Sequence, residues 1–148
     1  MALDNKTLVR RYIEGVFGKQ HNLSIMDEIL SSDFIEYQND GSNGELAIRG
    51  HEEWKKIANV YLSAFPDMQC KILEQIADGD KVVCLWTAQA THKGTFMGVA
   101  PTNKRVTVTG ISIFLIVNGK IVEGRTNWDL MGLLTQLGVL PTLLKKVA

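Results

Sequence analysis

Asn118-Gly119 lies between two long runs of alternating apolar and polar residues, Val106–Val117 and Lys120–Asn127, and it constrains this chain more than any other dipeptide. A two-residue hairpin turn of the favoured kind needs positive φ at both central positions. Asparagine and glycine reach those angles at little cost, so the pair predicts a tight antiparallel hairpin. Asp78-Gly79-Asp80 marks a second tight turn, between a segment with Met68, Cys70 and Ile72 and a strand over Lys81–Ala90. Successive strand side chains point to opposite faces. One face of Val106–Val117 therefore carries Val106, Val108, Gly110, Ser112, Phe114 and Ile116; the other carries Thr107, Thr109, Ile111, Ile113, Leu115 and Val117. On Lys120–Trp128 the matching sets are Val122, Gly124, Thr126 and Trp128 against Ile121, Glu123, Arg125 and Asn127.

The first half of the chain has helical periodicity instead. Leu8, Val9, Tyr12, Ile13, Val16 and Phe17 recur on one face of a helix over Asp4–Phe17, with Gly18 as its stop. A short helix follows Asn22, a candidate N-cap, and buries Leu23, Met26, Ile29 and Leu30. Phe34–Tyr37 fits a short strand, and the turn formers of residues 38–50 predict a loop. A third helix follows Gly50 with Trp54, Ile57, Ala58, Tyr61, Ala64 and Phe65 inward. Pro66 ends it, because proline disfavours helical geometry in the residue before it. A last helix runs from near Asp129 to Gly138, followed by a tail over Val139–Ala148. Helices first and a strand meander afterwards predict an α+β fold, with helices packed on one face of a curved antiparallel sheet. At 148 residues the expectation is a single domain spanning 1–148.

Composition narrows the function classes. Sixteen basic residues balance 16 acidic ones, and no basic stripe of the kind that neutralises phosphates is visible, so no nucleic-acid partner is expected. No apolar run approaches the roughly 18 residues of a membrane span, and the N-terminus lacks the basic and apolar regions of a signal peptide. Cys70 and Cys84 are too few for a disulfide framework. A reduced, cytoplasmic protein without membrane association is the expectation. His21, His51 and His92 show no ligand spacing with cysteines or carboxylates, so no metal site is expected.

Several motifs in one order narrow the fold further: Ala64-Phe65-Pro66-Asp67, Gly79-Asp80-Lys81-Val82-Val83, Thr91-His92-Lys93-Gly94 with Gly98, Pro101-Thr102 and Lys104, Asn118-Gly119-Lys120-Ile121-Val122-Glu123, and Asp129 through Gly138. From about Asn5 to Gly138 the chain resembles the SnoaL-like polyketide cyclases, or ester cyclases, of the NTF2-like superfamily. The resemblance implies a cone-shaped α+β fold with three N-terminal helices on a strongly curved sheet. It also implies a hydrophobic small-molecule ligand in the cone, no cofactor, and a homodimer paired through the sheet. Cyclases of this family close a polyketide ester by an intramolecular aldol step, with an aspartate on the last strand as general acid/base. That position falls at Thr126, and the family's histidine two residues earlier falls at Gly124. The family's polar pair on the preceding strand falls at Gly110 and Ser112, and an early asparagine falls at Glu36. Only Glu36 gains a titratable group.

The candidate chemistry follows from these positions. If the Gly110, Ser112, Thr126 face lines the cup, its centre is apolar and built of small residues, which suits a bulky hydrophobic ligand. Glu36 is either an exposed strand-edge carboxylate or a pocket acid/base. Asp129 is either a helix N-cap or a base at the pocket mouth. His92 either ties the turn together or donates a proton near neutral pH. Ser112 and Thr126 are candidate hydroxyls to orient a ligand carbonyl, beside Gly110 and Gly124. Trp54, Tyr61, Trp86, Phe114 and Trp128 are core residues, some of which line any cavity. Two functions remain open: a cofactor-free isomerase or cyclase acting on a carbonyl-bearing substrate through Glu36, Asp129 or His92, and a homodimeric hydrophobic-ligand binder without chemistry. An epoxide-hydrolase-type site would need an arginine inside the cup, whereas Arg125 is on the outward set.

Overall fold

Period-two alternation in the second half of the chain is realised as one curved, six-stranded sheet in the computed structural model, which describes residues 4–39 and 44–140. The elements are α1 (Asn5–Val16), α2 (Ser24–Ile29), β1 (Leu30–Asn39), β2 (Leu46–Arg49), α3 (His51–Ala64), β3 (Gln69–Asp78), β4 (Lys81–Thr91), β5 (Arg105–Val117), β6 (Lys120–Trp128) and α4 (Leu130–Gln136). The sheet order is β2-β1-β6-β5-β4-β3. All neighbours are antiparallel except β1 and β6, which run parallel. Asn118 and Gly119 form the turn between β5 and β6 at φ 50° and 75°, as the dipeptide predicts.

The helices cover one face and one edge. The sheet's edge strand β3 would otherwise present unpaired backbone groups to a second chain. Instead the Cys70 N–H donates to Phe17 O at 2.8 Å, and the Ile72 N–H donates to Glu14 Oε2 at 3.0 Å, so α1 seals that edge. Asp4 caps α1, accepting from the Thr7 N–H at 2.9 Å. Beyond the end of β6, the β5 backbone at Thr107 is paired by a side chain. Its N–H donates to Gln136 Oε1 and its carbonyl accepts from Gln136 Nε2, both at 2.9 Å, which tacks α4 onto the sheet. The main core, built around Val9, Tyr12, Met26, Phe34, Trp54 and Phe114, lies between α1, α2, α3 and the concave face.

The structure departs from the sequence expectations where strand signals were hidden. The turn-rich stretch 38–50 is the connection of a hairpin rather than only a loop: Gln38 and Asn39 extend β1, and Leu46–Arg49 pairs back on it as β2. Residues 40–43 lie outside the described residues, as do residues 141–148 of the expected tail. Leu30 opens β1 instead of closing α2, so β1 begins without a loop. Asn22 lies one residue before the N-cap position, which Leu23 occupies without a side-chain bond, and its Oδ1 accepts from the Ser24 N–H at 3.2 Å. Ile121 was expected on the outward face. A register shift between β5 and β6 leaves Val122 without a cross-strand partner and sets Ile121 opposite Ile116, fully buried. A bulge of one residue inverts the faces on either side of it.

The turn between β4 and β5 is anchored to the end of α3. The Lys93 and Gly94 N–H groups both donate to Ala64 O at 3.0 Å. A Cβ on Gly94 would lie 2.6 Å from Ser63 O and 2.9 Å from Ala64 Cα, and both are backbone atoms that cannot swing away. Gly94→Ala is therefore expected to cost about 2 kcal/mol and to lower Tm by about 5 °C. Thermal unfolding followed by circular dichroism checks this; an unchanged Tm would show that the turn is not held against α3.

Candidate functional site

Sheet register brings the polar residues of three strands to one point on the concave face. Phe114, Gly124 and Glu36 stand in one cross-strand row, and Ser112, Thr126 and Gln38 in the next. Glu36 is 2% exposed. A Cβ on Gly124 would lie 2.2 Å from Glu36 Oε2, so the missing side chain at 124 is the room that the carboxylate occupies.

The direction of every hydrogen bond here follows from donor chemistry. Indole N–H groups only donate. Trp128 Nε1 donates to Gln38 Oε1 at 3.1 Å, which orients the amide so that Gln38 Nε2 donates to Glu36 Oε1 at 2.8 Å. Trp86 Nε1 donates to Ser112 Oγ at 3.0 Å. Thr126 Oγ1 gives its one proton to Glu36 Oε1 at 2.9 Å, so Ser112 is the donor in its 2.8 Å bond to Thr126. Two chains that begin at tryptophans thus end on the same carboxylate oxygen. Glu36 Oε2 has no hydrogen-bond partner among the described residues.

A cavity of about 120 Å³ opens beside this network, bordered by Glu36, Gln38, Ser112 and Thr126 and otherwise by apolar and aromatic side chains. Burial disfavours the charged carboxylate and pushes Glu36 up to about 7, against the opposing bonds from Thr126 and Gln38. Tyr12 borders the same cavity. Its Oη accepts from Trp54 Nε1 at 2.7 Å, so its own proton is available to donate. Burial and the negative charge of Glu36 raise the phenol well above its ordinary value, so Tyr12 stays protonated.

Among the sequence candidates, Ser112, Thr126, Phe114, Trp54, Tyr61, Trp86 and Trp128 border the cavity together with Glu36. Asp129 does not. It is the N-cap of α4, accepting from the Gly132 N–H at 2.8 Å. His92 is fully buried but outside the cavity lining, packed 5.4 Å from the Phe65 ring. Its Nδ1 accepts from the Thr102 N–H at 3.2 Å, which makes it a tie across the turn. Gly110 and Gly124 do not face open space either, since Trp86 and Glu36 lie over them. These two side chains occupy the space that a Cβ at 110 or 124 would take. The hydroxyls of Ser112 and Thr126, expected to orient a ligand carbonyl, have their protons committed to the chain that ends on Glu36.

Tyr12 and Gln38 were missed as site residues. Tyr12 was grouped with the apolar face of its helix, although it is the only residue there with a polar tip. Gln38 opens a stretch with the composition of a loop, yet it stands two residues after Glu36, the spacing that puts both on one face of a strand. Asp27 of α2 and the adjacent His51 and Glu52 of α3 hold ligand atoms within 4.8 Å of one another. This group is exposed in part, and the Lys55 ammonium already bonds Asp27 at 2.8 and 3.0 Å. Arg125 lies on the convex face, paired with Glu45 and 4.2 Å from the centre of the Tyr37 ring.

Residues 6–137 match the family described as SnoaL-like polyketide cyclase. No curated protein matches the chain. Among solved structures, a protein from Jannaschia sp. CCS1 provisionally named a SnoaL-like polyketide cyclase aligns with a TM-score of 0.82 at 25% identity, over 93% of each chain. IdmH of Streptomyces antibioticus, provisionally named a polyketide cyclase, aligns with a TM-score of 0.80 at 25% identity, over 93% of this chain and 100% of its own. AclR of Streptomyces galilaeus, provisionally named a hydroxylase, aligns with a TM-score of 0.79 at 29% identity, over 97% of this chain and 92% of its own. The α+β cone expected from sequence is thus the fold of the chain. No helix among the described residues is long and apolar enough to cross a membrane.

The raised proton affinity of Glu36 links stability to pH with a definite sign. Between the ordinary value of 4.5 and about 7, the folded chain keeps a proton that the unfolded chain releases. Stability from this group is therefore full below that window and is lost as pH rises through it. The window corresponds to about 3 kcal/mol. Urea unfolding at pH 5 and pH 8 is expected to show wild type losing 2–3 kcal/mol, to order of magnitude, relative to Glu36→Gln. A difference that does not change with pH would contradict the burial of a titrating carboxyl.

Proposed function

The chain belongs to the SnoaL-like polyketide cyclase family, and from that premise we propose that it is a cofactor-free isomerase or cyclase acting on a hydrophobic, carbonyl-bearing, polyketide-like substrate. The observation that carries this reading is the Glu36 carboxylate. It sits in an apolar cavity with one oxygen held by two donors, the other without a partner, and a proton affinity near neutrality. A general base works best when its pKa lies near the working pH.

In this mechanism Glu36 Oε2 takes the proton from the carbon next to the substrate carbonyl. The C–H electron pair moves into the carbonyl system, and negative charge develops on the oxygen. Tyr12 donates its hydroxyl proton as a hydrogen bond to that enolate, a combination of carboxylate base and phenol donor suited to chemistry beside a carbonyl. Protonated Glu36 then returns its proton to a carbon of the enolate in an isomerisation. In a cyclisation the enolate carbon attacks a second carbonyl, and Glu36 protonates the new alkoxide. Thr126 and Gln38 act as positioning residues that hold Oε1 and leave Oε2 to react.

Hydrophobic-ligand binding without turnover is the second reading, favoured by Thr126 standing where the family carries its catalytic aspartate. Deuterium exchange into the α-carbon of small ketones and esters separates the two. Wild type is expected to accelerate exchange, with kcat/KM rising to a plateau above about pH 7. Glu36→Gln is expected to lower the rate by about 10³-fold, and Tyr12→Phe by about 10²-fold. Binding without exchange would establish the second reading.

The convex face supports a homodimer. Ile76, Ile111, Ile113 and Val117 are exposed there, with Val83 and Leu115 among them in the cross-strand rows. Contiguous apolar surface of this kind marks association. Analytical ultracentrifugation is expected to give a dimer for wild type and a monomer for Ile111→Lys/Ile113→Lys; a wild-type monomer at 100 µM, roughly the top of the usual range, would refute pairing.

A further inference from the structure

Gly110 seats one wall of the cavity. A Cβ there would lie 2.2 Å from Trp86 Cζ2 and 2.7 Å from Cε2, so the indole lies against bare backbone. The same ring is tethered by its N–H to Ser112 at 3.0 Å. Steric fit and hydrogen bond together hold it in one place, half-buried, as a fixed wall. Across the strand from Gly110 stands Trp128, whose N–H is bound to Gln38. Both indoles border the cavity that Glu36 borders, and neither rotates without leaving its hydrogen bond unmade.

The space left is about 120 Å³. That is close to the ~150 Å³ apolar cavity that takes up benzene, and well below the ~300–1,000 Å³ of pockets for drug-sized ligands. We infer that Trp86 is a specificity-determining residue, and that it restricts this site to carbonyl compounds whose buried part is a single ring or a chain of similar bulk. Fused multi-ring ketones are excluded because the second ring would have to occupy the position of the indole. The inference rests on the cavity being the ligand site, as proposed above, but it does not require turnover. Truncating Trp86 frees space of the same order as the cavity itself, and a well-packed interior does not close over such a gap completely.

A series of methyl ketones reads this directly: acetophenone, 2-acetylnaphthalene and 2-acetylanthracene, with binding measured by isothermal titration calorimetry. Wild type is expected to prefer the one-ring ketone over the two-ring ketone by at least about tenfold, the scale on which apolar pockets discriminate size. Trp86→Ala is expected to reverse that order. Trp86→Phe keeps a ring but loses the N–H, and it is expected to relax the preference less than alanine does. If circular dichroism shows that Trp86→Ala does not fold, Trp86→Leu carries the same comparison. Equal binding of the first two ketones by wild type, no binding of any of the three, an unchanged ratio in the truncated variant, or an equal effect of phenylalanine and alanine would each overturn the inference. A size preference without deuterium exchange would sustain it while removing the catalytic reading. Exchange with equal acceptance of both ketones would do the opposite.

Discussion

Burial of one carboxylate organises the concave face. An ionised group taken out of water with no partners costs far more than a domain can offset, so it must be bonded, neutralised or both. Glu36 shows both responses. Its Oε1 accepts from Gln38 and Thr126, and its proton affinity rises until the acid and carboxylate forms are nearly balanced. The surrounding sequence follows from this requirement. Gly124 makes room for the side chain, Ser112 supplies the proton that frees Thr126 to donate, and Trp86 and Trp128 close the two chains with groups that cannot reverse their direction.

The same network separates the two oxygens of Glu36. Hydrogen bonds to Oε1 favour the charged form, while the apolar surroundings favour the neutral one. Burial wins by enough to bring the group near neutrality, and the bonds keep it from rising further. Because both donors converge on Oε1, the neutral acid carries its proton on Oε2. A carboxyl in solution has two equivalent oxygens; here one accepts two hydrogen bonds, and the other lies buried over Gly124 and accepts none among the described residues. In the proposed reaction, preorganisation of this kind requires no motion when a ligand arrives. It also explains why hydroxyls that line the cavity serve the carboxylate first.

How much of this was legible in the sequence depended on whether the signal was local. The Asn118-Gly119 hairpin, the inward face of β5 and the capping role of Asp129 follow from turn chemistry, period two and N-cap preference, and each is a property of a few adjacent residues. Ile121 was misplaced because a bulge leaves no mark in an alternating pattern: the chain reads Lys-Ile-Val-Glu whether or not Val122 is skipped. β2 was hidden because its four residues follow a stretch whose composition is that of a loop. The site itself depends on parallel pairing between β1 and β6, residues some 90 positions apart, which decides that Glu36 sits beside Gly124 and Gln38 beside Thr126. Nothing near Glu36 in the sequence distinguishes an edge carboxylate from a buried one.

That pairing also changes the meaning of the family comparison. Position by position, Thr126 for aspartate and Gly124 for histidine look like the loss of a catalytic apparatus. In space, the Glu36 carboxylate reaches 2.9 Å from Thr126 Oγ1. On the proposed reading, Glu36 on β1 supplies beside Thr126 the carboxylate that the family resemblance assigns to position 126 of β6. Threonine at 126 is then a requirement, because an aspartate there would set a second carboxylate against the first in a dry site, where two like charges cannot both ionise. Glycine at 124 is equally required, since any side chain would displace the carboxylate. In the proposed mechanism, residues that read as losses along one strand are the conditions for a gain on its neighbour, so the chemistry of this cup has to be judged from the sheet as a whole.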